Sequence, residues 1–413
     1  MVDKTPRITS KSHPPTWLIL GLASLVMIVE GISLQGIPVL YPFIQSDLSL
    51  SNSQIGIITS ALMVVSLFTS LFGGWLADVY GVKRVLLLSL LTITVIIAAL
   101  PFTRSFIMLL LVVTLIGAVN APITPSTAII ISSWIPQRIF GFAMSFKQTG
   151  FSVGGSIGAA ILPALGLMLG WRLAGGTIGI LVLLIAVTFG IYYRDAPVKD
   201  GSSAVFSLTS FVRNVKVIVN KRSLLVPLFW SFIFAGLHWV FLSYFLLFLI
   251  KDIGISPILA GGLLSLSQII SSGARIFWGI VSDLSLLRGN RIVVLAIIGV
   301  SSTMTYIGIS LIKPDINLIL IYIIATTAGL SILSWPGILI AIISESTDPD
   351  KIGISTGLMV ALSRSGIVVM PPLFGWLIDT SGSYEIAWQL AGGLALASTA
   401  VLILFGRPRR IPD

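Results

Sequence analysis

About twelve runs of some twenty predominantly apolar residues follow one another along this chain, and a helix of that length crosses the hydrocarbon core of a bilayer. They lie near 17–41, 55–76, 84–103, 105–133, 140–165, 171–193, 224–250, 259–282, 291–312, 316–344, 354–378 and 385–406. A segment in lipid must satisfy its backbone hydrogen bonds internally, so each run is expected to be a helix. Charged residues make up 10% of the chain, against about 25% in a soluble domain. The expectation is an all-α polytopic membrane protein. Zero cysteines exclude disulfides, thiolate metal sites and cysteine nucleophiles. The first sixteen residues are polar, carry Pro6, Pro14 and Pro15, and lack the apolar core of a signal peptide, so the first run is expected to stay as an anchor.

The basic residues orient the spans. With the N-terminus inside, eighteen of the 25 lysines and arginines fall on the inner face, and four (Arg104, Arg172, Lys251 and Lys313) fall on the other. The remaining three lie within spans. Such a bias predicts both termini in the cytoplasm, and hence a multi-pass protein of the cytoplasmic (inner) membrane. It also accounts for the net charge of +10 with the lipid bilayer, and no nucleic acid, as partner. The one long polar connection, 194–223, divides the chain into a six-helix bundle over 1–193, a cytoplasmic central loop, and a six-helix bundle over 224–413. The second half of that loop has the pattern of an amphipathic helix lying on the membrane surface.

The two halves repeat. A shift of 205 residues lays Gly56 onto Gly261, Ser60 onto Ser265, Ser66 onto Ser271, Gly74 onto Gly279 and Asp78 onto Asp283. A shift of 216 lays Gly141 onto Gly357 and Gly150 onto Gly366. A duplicated six-helix unit follows, with twelve transmembrane helices in two pseudo-symmetric bundles. Transporters built this way hold their site between the halves near mid-membrane.

The segment Gly-Trp-Leu-Ala-Asp-Val-Tyr-Gly-Val-Lys-Arg at 74–84 resembles the loop signature of the major facilitator superfamily. A degenerate copy, Gly279 to Asp283 followed by Arg288 and Arg291, stands where that superfamily has its second copy. The resemblance implies a gating role for Gly74, Asp78, Lys83, Arg84, Gly279 and Asp283, with Asp78 capping the next helix or pairing with a base. Val79 replaces the usual basic residue of the signature. The stretch Gly273-Ala274-Arg275-Ile276-Phe277-Trp278-Gly279 looks like the eighth span of organic-anion and monocarboxylate carriers, where the arginine holds a carboxylate. The ending Gly375-Trp376-Leu377-Ile378-Asp379 with Gly382 is similar to many such bacterial carriers.

Three cations and one acid at membrane depth are the candidate site. A charge there costs about 2.5–3.5 kcal/mol on insertion scales, so it faces a partner, a cavity or a path. Arg275 ends a polar stripe through Ser265, Gln268, Ser271 and Ser272 at helical spacing, and arginine holds carboxylates bidentately. Its alternative is a structural pair with Glu30 or a backbone carbonyl. Lys147, with Gln148 beside it, shares a face with Gly150, Gly154 and Gly158; attraction of substrate competes with snorkelling to the inner edge. Arg364 is a second anion site or an interdomain pair. Glu30 couples protons or forms a permanent ion pair, and His238 is a weaker proton-site candidate. Gln35, Asn120 and Trp335 are possible cavity linings.

The function expected is secondary active transport of a small organic anion, a carboxylate above all, by alternating access, coupled to protons or to a counter-anion. Two histidines fit no zinc site, and no phosphate-cradling loop implies ATP. The protein is expected to be no enzyme, to need no cofactor or metal, and to work as a monomer. The alternatives are efflux of drug-like or cationic compounds through Glu30, and a transport-incompetent solute sensor.

Overall fold

The computed structural model describes residues 15–196, 222–283, 290–345 and 352–406. Most of the central loop therefore lies outside the described residues. All regular structure among them is helical. The first half contains α1 (Thr16–Val39), a short α2 (Tyr41–Leu48), α3 (Asn52–Tyr80), α4 (Val82–Ile97), α5 (Phe106–Asn120), α6 (Ile123–Trp134) and α7 (Phe140–Tyr192). The second contains α8 (Arg222–Lys251), α9 (Pro257–Asp283), α10 (Arg291–Ser310), α11 (Leu318–Leu330), α12 (Pro336–Glu345), α13 (Ile352–Ser381) and α14 (Tyr384–Phe405).

These helices account for the twelve runs. The 53-residue α7 crosses twice, because Gly170 at φ 76° turns the chain back between the fifth and sixth runs. The fourth run is broken into α5 and α6 at Ala121–Pro122, where proline has no N–H to donate. The tenth is broken into α11 and α12 over 331–335, immediately before Pro336. Polar residues start the helices: Ser51 caps α3 with a capping box to Gln54, and Ser105, Asn317 and Ser383 accept from backbone N–H groups at their helix starts. The helix α2 went unpredicted. Its Asp47 carboxylate pairs with Arg172 at 2.8 Å, which holds it below the ordinary aspartate range.

The sequence repeat reappears as matched backbone contacts. Helix packing in lipid depends on close approach, which small residues permit. A methyl on Gly31 would overlap the Phe151 carbonyl, and one on Gly154 the Ile28 carbonyl; in the second half Gly236 meets the Gly366 carbonyl, and Gly366 meets that of Phe232. Gly117 rests on the Leu62 carbonyl and Gly329 on the Ser267 carbonyl. Gly56 and Gly261, already paired by sequence, both carry contacts between the halves, to Pro371 and to Ala159 with Pro163. Gly141, Gly279 and Gly357 face open space.

The halves meet along α3 with α13 and along the first crossing of α7 with α9. Hydrogen bonds join them from one end of the helices to mid-depth. At that end Asp379 meets Asn52 and Ser53. Deeper lie Thr59 with Ser243 at 2.9 Å and Ser60 with the Val368 carbonyl at 2.5 Å. Ser156 with Ser265 at 2.8 Å and Arg364 with the Ser66 carbonyl at 2.6 Å complete the series. The protein is closed at the Asp379 end.

Candidate functional site

Glu30 on α1 lies within electrostatic range of Lys147 on α7 and Arg364 on α13, whereas Arg275 on α9 sits against the break in the tenth run. Both oxygens of the Glu30 carboxylate accept from the Thr124 hydroxyl, at 2.9 and 2.8 Å. Thr124 lies in the first turn of α6, just past the break in the fourth run, and its backbone carbonyl accepts from Lys147 Nζ at 3.3 Å. Lys147 Nζ also donates to Thr127 Oγ1 at 3.1 Å. One threonine thus stands between the acid and the base. Lys147 is 2% exposed. Its amine is held inside by two neutral oxygens, on the helix face where Gly150 and Gly154 bring α1 close. Gln148 is half-buried beside it.

Arg364 donates to the Ser66 carbonyl across the interface, within electrostatic range of Glu30. Arg275 donates to the Leu333 carbonyl at 3.2 Å, and its buried Nε has no partner. That carbonyl is available because 331–335 is not helical. The His238 imidazole lies beside the backbone of Ile332 in the same break, and Trp278 Nε1 donates to the Leu330 carbonyl at 2.7 Å. The broken tenth run is therefore an acceptor shelf for α9. Trp335 Nε1 and Asn120 Oδ1 are buried without partners among the described residues. Gln268 does not join Arg275 but donates to Gln35 of α1, over Gly155. Ser271 and Ser272 turn back to the Gln268 carbonyl.

Among the described residues no carboxylate lies within ion-pair distance of Lys147, Arg275 or Arg364. Of the two alternatives for Glu30, this arrangement shows no direct ion pair: Lys147, Arg364 and Arg275 rest on the carbonyl oxygens of Thr124, Ser66 and Leu333. Asp78, Asp283 and Gly74 lie outside what the structure describes of side chains and their surroundings. The cap that the signature loop was expected to receive from Asp78 includes Asp195, whose carboxylate accepts from the Lys83 N–H at 2.9 Å beside Gly81 at φ 87°. Arg84 is exposed. Thr124 and Thr127 escaped the sequence reading, although the prolines at 122 and 125 mark the turn that presents them.

Comparison with known proteins adds the family. The model of the Major Facilitator Superfamily matches residues 23–364. The chain is 24% identical to the "Hexuronate transporter" of Bacillus subtilis (strain 168) over 97% of its own length and 96% of that protein. It is 23% identical to the "Probable galactarate/D-glucarate transporter GudP" of the same organism, over 96% and 93%. Among solved structures, a mutant of the nucleoside transporter NupG superposes with a TM-score of 0.80 at 13% identity, covering 94% of this chain and all of that one. The last likeness establishes the fold.

Proposed function

The chain belongs to the major facilitator superfamily, and from that premise we propose that it is a secondary transporter carrying a small organic anion, a carboxylate, across the cytoplasmic membrane by alternating access. The charge balance of the interior carries this reading. Three cations stand against one acid, and among the described residues none of the three is consumed by a direct ion pair. Holding such charges in a dry site is costly unless a counter-charge arrives. An anionic cargo supplies it. The named cargoes of the two relatives, hexuronate and galactarate or D-glucarate, are organic anions, which supports the class.

Arg275 is the primary carboxylate ligand. Its Nε is free, and one of its terminal nitrogens is oriented by Leu333, so the guanidinium fork is preset for a bidentate contact. Arg364 neutralises the cargo from α13, and Lys147 draws it inward with Gln148 and Gln268 at the margins. Glu30 carries the coupled proton, its ionised form supported by the Thr124 hydroxyl; His238, beside the Ile332 backbone, orients the shelf at Arg275. Lys83, Arg84, Asp78 and Asp283 serve the inner gate with Gly74 and Gly279. Both termini are cytoplasmic, the halves comprise 1–193 and 224–413, the working unit is a monomer, and no enzymatic step is assigned.

A thermal-shift screen of purified protein against carboxylates, sugars and lipophilic cations tests the reading, since a ligand of the folded state raises its melting temperature. Carboxylates are expected to stabilise it selectively. Arg275→Ala should weaken their binding by about 30-fold or more, corresponding to ~2 kcal/mol for a buried charge partner. Stabilisation by lipophilic cations alone, lost in Glu30→Gln, would replace this reading with export.

A further inference from the structure

The N-terminus of α3 is capped by both halves of the molecule. A helix start leaves four backbone N–H groups without partners inside the helix. Here the first half supplies two acceptors: the Ser51 N–H goes to Gln54 Oε1 at 2.9 Å, and the Gln54 N–H to Ser51 Oγ at 3.2 Å. The other two go across the interface. Asp379, near the end of α13, accepts from the Asn52 N–H at 2.9 Å through Oδ1 and from the Ser53 N–H at 2.8 Å through Oδ2. The same oxygens receive Asn52 Nδ2 at 2.9 Å and Ser53 Oγ at 2.5 Å.

The surroundings are built for this contact. One turn before Asp379, a methyl on Gly375 would overlap the Asn52 carbonyl. Tyr244 and Tyr384, both of the second half, donate to the Asn52 carbonyl at 2.8 Å and to its Oδ1 at 3.0 Å. A carboxylate at a helix N-terminus is favoured by the helix dipole as well as by the donors. Yet Asp379 is exposed, so water can take its place when the halves part. The contact is strong in geometry and cheap to open.

We propose that Asp379 is the latch of the outer gate: a carboxylate of the second half that completes the cap of a first-half helix, and that must release it for the outer end to open. The proposal rests on the carrier reading above, but its test needs no cargo. The chain has no cysteine, so a single Ser243→Cys reports directly on the gate. Ser243 is fully buried between the halves, on Thr59, below the latch.

The measurement is the labelling rate of Ser243→Cys by a membrane-impermeant thiol reagent added from outside to right-side-out vesicles. Labelling is expected to be slow with Asp379 present and about tenfold or more faster in Asp379→Ala, as the outward-open state gains population. Asp379→Asn should fall between the two. Ser53→Ala, which keeps both backbone donors, should accelerate labelling only about two- to threefold on the same principle, and it serves if Asp379→Ala does not fold. An unchanged rate in folded Asp379→Ala overturns the latch, as does an unchanged rate in Ser53→Ala where Asp379→Ala cannot be made. Loss of carboxylate binding in the thermal-shift screen would instead count against the cargo and leave the latch standing.

Discussion

Lys147, Arg275 and Arg364 were recognisable in the sequence as costly residues, but their neighbours decide what each can do. Lys147 and Glu30 share Thr124 rather than each other. Its hydroxyl supports the carboxylate and its carbonyl holds the amine, so the two functions can be separated by mutation. Thr124→Val removes the hydroxyl alone. A hydrogen bond to a charged group contributes about 1.5–3 kcal/mol, so proton-driven accumulation is expected to fall about tenfold or more while substrate exchange persists. Thr124→Ser should restore it. Accumulation that survives Thr124→Val intact would take this hydroxyl out of the coupling.

At the scale of elements, two kinds of departure from regular helix matter. The break over 331–335 leaves the Leu333 carbonyl to accept from Arg275, and the break at Ala121–Pro122 sets where α6 begins and so where Thr124 and Thr127 meet Lys147. The glycine contacts set how closely those helices approach. Gly117 and Gly329 occupy equivalent places in the two halves, each against a backbone carbonyl that cannot move aside. Gly117→Ala and Gly329→Ala should therefore each cost about 1–3 kcal/mol by overpacking and lower the melting temperature alike. Gly279→Ala, facing open space, should leave it unchanged or raise it, since alanine is favoured over glycine in a helix by about 1 kcal/mol. A large loss at Gly279 with none at Gly117 would contradict the packing described here.

For the whole molecule, orientation follows from the charge bias and closure from the interface. If both termini are cytoplasmic, reporters active only inside should function at either end, and a tag inserted after Gly382 should react with outside reagents. The reverse pattern would invert the gate assignment, placing Asp379 on the inner face. The twelve runs and the two-bundle fold were legible in the sequence, because hydropathy and charge asymmetry accumulate along the chain and need no knowledge of neighbours. The matches of Gly56 with Gly261 and of Gly150 with Gly366 fall on close backbone contacts in both halves, since a repeated contact demands a repeated small residue.

Partner choice was not legible. Glu30 meets Thr124, Lys147 meets Thr124 and Thr127, and Gln268 meets Gln35, partners that no spacing along one helix names, because rotation and depth of neighbouring helices decide which polar atoms meet. Thr124 and Glu30 are 94 residues apart, Ser66 and Arg364 298, and Asn52 and Asp379 327. By itself the sequence determined a membrane-embedded, duplicated helical protein with uncompensated positive charge inside. Only the tertiary structure decided that neutral oxygens hold those charges and that one exposed aspartate closes the far end. Lipid exclusion acts on each segment separately, whereas a hydrogen bond exists only where two packed backbones bring its atoms within about 3 Å.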